Sequence, residues 1–218
     1  YLALYDSTFS AFDAYMGEPD LWARRIQPEL TNHPIAYFSM ESGLHEMLPI
    51  YSGGLGVLAG DHLKEASDLG LPLVGIGLMY AEGYFSQRIH EDGWQFAINR
   101  PLDFGELPVL PVLGEDGERL TVEVEFADRH VSVQIWEVHV GRVPLYLLDS
   151  NVDPNSPGDR GLTARLYWAD LDNRIMQEML LGIGGVRALR QLGYNPAVWH
   201  MNEGHAAFLT LERARELV

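Results

Sequence analysis

The chain has 218 residues, 47 % of them hydrophobic and 21 % charged, with a formal net charge of −16. This length can bury a hydrophobic core, and the composition is typical of a globular protein. The acidic balance disfavours binding to nucleic acid and anionic membranes, which needs clustered Lys and Arg, and no apolar run approaches the roughly 20 residues that span a bilayer.

The first half of the chain predicts alternating helices and strands. Tyr1–Met16 has apolar residues at helical spacing, and Ile35–Met40 is typical of a buried strand. Val57–Leu69 predicts a helix that ends at a glycine. The continuous apolar run Leu71–Tyr80 indicates a strand covered on both faces, and Tyr84–Ile89 predicts a strand or a turn.

The second half predicts a β-rich insert followed by helices. Leu120–Asp149 alternates with period two and predicts an antiparallel hairpin or meander, and Ser150–Gly161 has the composition of a loop. We expect a long helix over Thr163–Leu192, a short strand at Ala197–Met201, and a last helix over Ala206–Val218. Strands and helices alternate at both ends of the chain, which indicates an α/β fold with a β-rich insert.

The chain ends suggest a longer protein. There is no initiator Met, and the last helical pattern stops without a Gly or Pro to end it. The sequence contains no cysteine, so it has no disulfide framework and no thiolate chemistry. A reducing compartment is compatible with that composition, and we expect a cytoplasmic protein.

The segment SGGLG, Ser52–Gly56, is the first candidate site, because it opens a predicted helix. Backbone N–H groups at a helix N-terminus bind anions such as phosphate when glycine leaves them accessible. A tight turn that needs positive φ and binds nothing is equally compatible with this pattern. The segment is neither a P-loop nor a G-x-G-x-x-G fingerprint.

A second glycine-rich segment, Gly182–Gly193, resembles a dinucleotide fingerprint, with Glu203 near the distance expected of a ribose-binding acid. The segment before it is predicted to be helical rather than a strand. We therefore expect these glycines to lie inside a helix and to permit close packing.

The third candidate is HMNEGH, His200–His205. It matches no zinc spacing, since HExxH is absent and HxxEH is missed by one residue. Its place after a short strand predicts a loop at the carboxyl end of that strand, where ligands of open α/β sheets bind. Asn202, Glu203 and His205 could hydrogen-bond a polar ligand there, or Asn202 or Glu203 could cap the last helix.

Aromatic and hydrogen-bonding side chains alternate between positions 80 and 95. Such a mixture suits a sugar, whose apolar face stacks on rings while its hydroxyls form hydrogen bonds, although core packing is the simpler explanation for any single member. The residues are Tyr80, Tyr84, Phe85, Gln87, His90, Trp94 and Gln95.

Three long stretches of the chain together resemble the α-glucan (glycogen and maltodextrin) phosphorylases, specifically their shorter bacterial and archaeal type. They cover well over half of the chain in the order found in that family. The stretches are IAYFSMESGLHEMLPIYSGGLGVLAGDHLKEASDLGLPLVGIGLMYAEGYFSQRI, LTARLYWADLDNRIMQEMLLGIGGVRAL and VWHMNEGHAAF.

The resemblance implies a retaining glycosyltransferase of the GT-B fold, in which two Rossmann-like domains face each other across a cleft. Residues 1–218 would form part of the N-terminal, glucose-side domain. The substrates would be an α-1,4-glucan and inorganic phosphate, and the product glucose 1-phosphate. Pyridoxal 5′-phosphate would be bound by a C-terminal domain absent from this chain, so the chain alone would be inactive; a homo-oligomer of the full-length enzyme is left open.

By the same resemblance, Gly53, Gly54 and Leu55 belong to the loop against the glucosyl and phosphate groups. His205 matches the histidine that holds the glucose at the reacting centre, within a motif that also contains Asn202. Asp170 would belong to a loop that gates the cleft. Lys64, the single lysine, does not match the cofactor lysine.

Two other functions remain open from sequence. One is a non-catalytic glucan-binding module. The other is a glycogen or starch synthase, which shares the GGL turn but has a lysine where this chain has Ser52.

Overall fold

A computed structural model describes residues 1–167 and 170–218 of the chain. Within that part, the structure is mixed α/β: one mixed sheet carries helices on both faces, and a two-stranded hairpin lies apart from it. No helix of the described residues is long and apolar enough to cross a membrane.

The helices follow the predicted order in most places. In chain order the α-helices are α1 Leu2–Gly17, α2 Trp22–Ile26, α3 Gly54–Leu69, α4 Pro157–Arg160, α5 Leu171–Met179, α6 Gly185–Gln191 and α7 Phe208–Glu216. A π-helical turn, Leu180–Gly184, joins α5 to α6. Three short 3₁₀ turns complete the helical segments: Pro28–Asn32, Phe104–Glu106 and Gly204–Ala206.

Four parallel strands form one half of the main sheet, and antiparallel strands extend it. The strands are β1 Ile35–Phe38, β2 Leu73–Leu78, β3 Ser86–Ile89, β4 Gln95–Ile98, β5 Leu110–Pro111, β6 Thr121–Phe126, β7 Arg129–Val140, β8 Val143–Asp149 and β9 Val198–Met201. Their order is β5-β7-β8-β2-β1-β9, with β6 also paired to β7, while β3 and β4 form the separate hairpin. β6 pairs antiparallel with β7, and β7 pairs antiparallel with β8, so the predicted meander is confirmed. β8, β2, β1 and β9 run parallel, so the last strand of the meander continues into the parallel sheet.

Helices cover both faces of the parallel strands. Gly75 and Ile76 are neighbours on β2 and therefore point to opposite faces. A Cβ built on Gly75 would lie 3.1 Å from Leu63 of α3, whereas one built on Gly185 of α6 would lie 2.7 Å from Ile76. All six residues of β2 are consequently buried, as the continuous apolar run predicted.

Two predicted helix boundaries were wrong. Helix α3 begins at Gly54 rather than Val57, so the glycine segment forms its first turn. The long helix expected from Thr163 begins only at Leu171, because Asp170 caps it and the described residues before it are turns and bends. Trp168 and Ala169, which the prediction also covered, lie outside the described residues.

The prediction that the second glycine segment lies in a helix and packs closely is confirmed. Gly182, Gly184 and Gly185 occupy the π-helical turn and the start of α6. A Cβ on Gly182 would lie 2.5 Å from the backbone nitrogen of Leu209, so glycine lets α7 approach this turn closely. No phosphate-binding loop follows a strand at this point, which removes the structural basis of a dinucleotide site.

Gly182→Ala is expected to destabilise the fold by roughly 1–3 kcal/mol, because the added methyl group overlaps the backbone of α7. Gly17→Ala is a matched control, since a Cβ at Gly17 has no atom within 4 Å. Urea unfolding measures both changes. Equal unfolding midpoints for the two variants would contradict the packing explanation.

A buried carboxylate ties α7 to the rest of the fold. Glu212 is 3 % exposed and accepts hydrogen bonds from Arg187 and Arg215, while Arg187 also pairs with Glu125 of β6. Burial alone raises the pKa of Glu212, but the hydrogen bonds from Arg215 and Arg187 outweigh burial and lower the pKa to about 2. The ionised form of Glu212 is therefore the one that stabilises the folded state.

Because the pKa of Glu212 falls on folding, its stabilising contribution is present above the ordinary value of 4.5 and is lost as pH falls towards about 2. We expect Glu212→Gln to destabilise the protein at pH 7 by more than at pH 3. Chemical denaturation at both pH values tests this, with exposed Glu65→Gln as the control. A destabilisation that does not change with pH would exclude the proposed ionisation.

Candidate functional site

The carboxyl ends of the parallel strands bring several polar residues to one edge of the sheet. The chain leaving β1 carries Ser39 and Glu41, and the chain leaving β9 carries Asn202, Glu203 and His205. β1 and β9 are neighbours in register, with Phe38 opposite Met201, so these two segments emerge side by side. Open α/β sheets bind ligands at this edge.

A buried carboxylate organises the first turn of α3. Glu41 is 3 % exposed, and its Oε2 accepts hydrogen bonds from the backbone N–H of Ser52 at 2.6 Å and of Gly53 at 3.3 Å. The hydroxyl of Ser52 also donates to this oxygen at 3.3 Å. Glu41 therefore satisfies the backbone N–H groups of the N-cap residue Gly53 and of Ser52 before it.

The glycines of the turn have two different roles. A Cβ on Gly56 would lie 2.5 Å from Tyr51 and 2.8 Å from Glu41 Oε2, so glycine is required there for packing. A Cβ on Gly53 or Gly54 would meet no atom within 4 Å. Neither of these two glycines has positive φ, so the tight-turn explanation does not account for them.

Open space in front of Gly53 and Gly54 leaves part of the helix N-terminus accessible. The N–H of Gly53 already points to Glu41, and no hydrogen bond within the described residues uses the N–H of Gly54 or Leu55. The free donors at this helix end are therefore the N–H groups of Gly54 and Leu55, the two residues that follow Gly53. They could donate to a phosphate or a hydroxyl oxygen.

Tyr167 joins this turn to the segment before α5. Its hydroxyl donates a short hydrogen bond to the second carboxylate oxygen of Glu41. Burial raises the pKa of Tyr167, and so do the hydrogen bond to Glu41 and the Glu41 charge. Tyr167 consequently remains protonated at neutral pH and acts as a donor to the carboxylate.

His205 lies on the other side of Tyr167 and contacts an arginine. The Tyr167 and His205 rings are 5.9 Å apart, and Arg174 Nη2 lies 3.1 Å from His205 Nε2. A guanidinium only donates, so His205 Nε2 accepts and the ring proton is on Nδ1. That Nδ1 is buried without a partner in the described part of the chain.

Of the remaining predicted site residues, Asn202 is held at this edge of the sheet and Asp170 at the start of α5. Asn202 is buried; its backbone N–H donates to Phe38 O at 2.8 Å and its Nδ2 to Ser39 Oγ at 3.1 Å. Ser39 Oγ in turn donates to the carbonyl of Glu41 at 2.6 Å. Asp170 is exposed, caps α5 and accepts from Asn173 Nδ2 at 2.8 Å, close in sequence to Tyr167.

The aromatic residues predicted as one cluster lie in different environments. Tyr80 is fully buried and donates to Met40 O at 2.8 Å, whereas Trp94 is 75 % exposed on the loop between β3 and β4. Tyr84 and Phe85 contact each other and line a cavity of about 460 Å³ that also includes Asp170. Proximity in sequence therefore did not produce a single aromatic site.

The two histidines of HMNEGH face different neighbours. The His200 ring lies 5.0 Å from that of Tyr37 and 6.0 Å from that of His62, while His205 contacts Tyr167 and Arg174. The described residues contain no group of three or more His, Cys, Asp or Glu side chains able to hold a metal ion.

Sequence reasoning missed Glu41, Tyr167 and Arg174. Glu41 follows a buried strand, so the rule that selected Asn202 and His205 could also have selected it. Tyr167 was assigned to a helix, but its φ is +57°, which is unusual for a bulky residue. Glu203 is the other non-glycine residue with positive φ in residues 1–167 and 170–218, so both unusual backbones lie beside His205.

Alanine substitutions separate the two classes of glycine. We expect Gly56→Ala to destabilise the protein by roughly 1–3 kcal/mol through overlap with Tyr51 and Glu41. Gly54→Ala should be neutral or slightly stabilising, because its methyl group enters open space at a helix start. Thermal unfolding of both variants is the measurement, and similar losses in Tm would contradict the assignment.

Comparison with known proteins identifies relatives over the whole chain. Residues 1–48 match a family described as "Protein of unknown function (DUF3417)". The maltodextrin phosphorylase of Thermococcus litoralis is 49 % identical over 98 % of this chain and 26 % of its own length. The glycogen phosphorylase of Mycobacterium tuberculosis is 47 % identical over 100 % of the chain and 26 % of its own length, and that of Aquifex aeolicus is 40 % identical over 100 % and 31 %.

The chain thus spans about a quarter to a third of the length of these curated relatives. The similarity extends over elements at both ends of the fold, including the glycine turn and the HMNEGH segment, since the alignments cover 98 % or more of the chain. The chain is thus similar over its whole length to one part of the maltodextrin and glycogen phosphorylases.

Proposed function

We propose that the chain is part of an enzyme that phosphorolyses α-1,4-glucans, transferring the terminal glucose to inorganic phosphate to give glucose 1-phosphate. The observation that carries this proposal is the 47–49 % identity to phosphorylases along the whole chain. The accessible amides of Gly54 and Leu55 beside the HMNEGH loop support it, since a sugar or phosphate needs such donors.

Within that enzyme, residues 1–218 would form part of the N-terminal, glucose-side domain of a GT-B glycosyltransferase. The four parallel strands with helices on both faces support a Rossmann-like assignment. The candidate site lies at the carboxyl edge of those strands. A second domain that closes the cleft would have to face this edge. Asp170, exposed at the start of α5, is proposed to belong to a segment that gates the cleft.

The residues of this chain do not fit the cofactor that the family implies. Pyridoxal 5′-phosphate is held through a lysine, and Lys64 is the only lysine in the sequence. Lys64 is exposed on α3, and its Nζ donates to Leu44 O at 2.9 Å rather than facing the candidate site. We therefore assign any cofactor to residues outside this chain and derive no step through it.

The proposed reaction requires this domain to hold the glucosyl unit. The bond from the anomeric carbon to the leaving glucan oxygen breaks, a bond to an oxygen of the substrate phosphate forms, and the leaving oxygen receives the proton that this phosphate gives up. Positive charge develops on the sugar as the ring flattens, so contacts to its hydroxyls that strengthen in that state accelerate the reaction. His205 and Asn202, with the amides of Gly54 and Leu55, are the groups we assign to this task.

Arg174 sets the state in which His205 would meet the sugar. With Nε2 accepting from the guanidinium, the His205 ring is oriented by Arg174 and lies against Tyr167. Because Nε2 already accepts from Arg174, a sugar hydroxyl would meet His205 through Nδ1, which carries the ring proton and donates to the hydroxyl oxygen. His205 is therefore proposed as a substrate contact rather than as a nucleophile.

His205→Ala in the full-length enzyme is expected to lower kcat by at least roughly tenfold, equivalent to about 1.4 kcal/mol. The measurement is glucose 1-phosphate release from maltodextrin, together with Tm. His205→Asn should retain part of the activity because it keeps one donor.

Two outcomes would contradict the assignment. Wild-type full-length protein that releases no glucose 1-phosphate would refute phosphorolysis. An unchanged kcat with a clearly lower Tm would show that His205 is structural.

A further inference from the structure

Tyr167 has a backbone conformation that its surroundings must enforce. Its φ of +57° places a bulky residue in the left-handed region, which is unfavourable for a residue with a large side chain. Residues in such conformations persist where the neighbouring structure fixes them, and they cluster at functional sites.

The chain before Tyr167 is firmly held. Ala81 N donates to Thr163 O at 3.1 Å, and Glu82 N donates to Ala164 O at 2.7 Å. These hydrogen bonds hold the segment before Tyr167 beside the chain that leaves β2. Gln177 of α5 donates through Nε2 to Leu162 O at 2.7 Å and Arg165 O at 2.8 Å. Tyr167 therefore projects from an anchored segment.

The hydroxyl of Tyr167 completes the hydrogen bonding of a buried charge. Glu41 uses one oxygen for the Ser52 and Gly53 amides and the other for Tyr167. An ionised carboxylate that loses a partner in a buried position is costly and will move or recruit water. Without the Tyr167 hydroxyl, only one of the two carboxylate oxygens of Glu41 has a hydrogen-bond donor. The orientation of Glu41, and therefore that of the turn, is then no longer fixed.

The ring of Tyr167 contacts the other half of the candidate site. The Arg174 guanidinium carbon lies 5.8 Å from its centroid, and the His205 ring 5.9 Å from it. Arg174 also contacts His205 Nε2 directly at 3.1 Å. One side chain thus touches both the group that holds the glycine turn and the groups that hold His205.

We propose that Tyr167 is a positioning residue that couples the glycine turn to His205, its hydroxyl fixing Glu41 and its ring supporting His205 and Arg174. The coupling keeps the amides of Gly54 and Leu55 and the imidazole of His205 in one geometry around the bound sugar. This role rests on the phosphorolysis proposed above. It deepens that proposal by naming a residue that acts without touching the substrate.

Tyr167→Phe in the full-length enzyme tests this role because it removes one oxygen and keeps the ring. We expect kcat/KM for phosphorolysis of maltodextrin to fall about tenfold, with Tm within the range of the control. Tyr146→Phe is the control, because Tyr146 is a buried tyrosine whose hydroxyl lies 3.4 Å from that of Tyr194 and which is not part of the site. Its kcat/KM should equal that of wild type.

The outcomes distinguish this inference from the proposed function. Inactive wild-type enzyme would refute phosphorolysis itself. Active wild-type enzyme with equal kcat/KM for Tyr167→Phe and Tyr146→Phe would overturn the positioning role. A fall in kcat/KM for Tyr167→Phe that is matched by a large fall in Tm would also overturn it, since that pattern indicates general destabilisation.

A double-mutant cycle tests the route through Glu41. Glu41→Ala should lower kcat/KM at least as much as Tyr167→Phe, and the double variant should lose little more, because both changes break the same link. Glu41→Gln should lose less than Glu41→Ala, since its amide oxygen can accept from Ser52 and Gly53 while its NH₂ donates to Tyr167. Additive losses of kcat/KM in the double variant would exclude this route, and so would equal losses for Glu41→Gln and Glu41→Ala. If Glu41→Ala does not fold, the comparison of Tyr167→Phe with Tyr146→Phe decides.

Discussion

The candidate site depends on one buried carboxylate. Glu41 has few ways to be stable at 3 % exposure, because an ionised group removed from water must have its lone pairs occupied by donors. The donors come from the start of α3 and from Tyr167, a residue 126 positions further along the chain. Satisfying this single charge therefore fixes the position of a helix N-terminus relative to the segment before α5.

The packing around Glu41 explains why the glycines are clustered where they are. Gly56 leaves room for the Glu41 carboxylate, and a Cβ on Gly60 would lie 2.0 Å from Gly43 O, so both residues let the chain after β1 lie against α3. Gly53 and Gly54 face open space instead. The helix dipole and the carboxylate favour each other at this end, which stabilises the turn while leaving the next amides free.

Arginine completes the arrangement on the side of His205. Arg174 contacts the imidazole and the Tyr167 ring and pairs with Glu178 one helical turn later, so its position is defined by α5. The two non-glycine residues with positive φ in the described ranges, Tyr167 and Glu203, flank this contact. Strain beside a polar cluster at the edge of a parallel sheet is a signature of a functional site that does not depend on sequence similarity.

Local pattern was enough to predict the order of the longer helices and strands, because hydrophobic periodicity records which face of each element is buried, but it did not predict α2, α4, β4 or β5. It predicted β2, the β6–β8 meander and the helical position of Gly182–Gly185, and the position of HMNEGH after a strand predicted a loop at the sheet edge. It misjudged the start of α5, where Asp170 caps the helix, and it missed Tyr167 and Glu41. Tertiary structure alone decided which glycines face open space and which carboxylate holds them, because the hydrogen bond from Tyr167 to Glu41 joins residues that no local pattern relates.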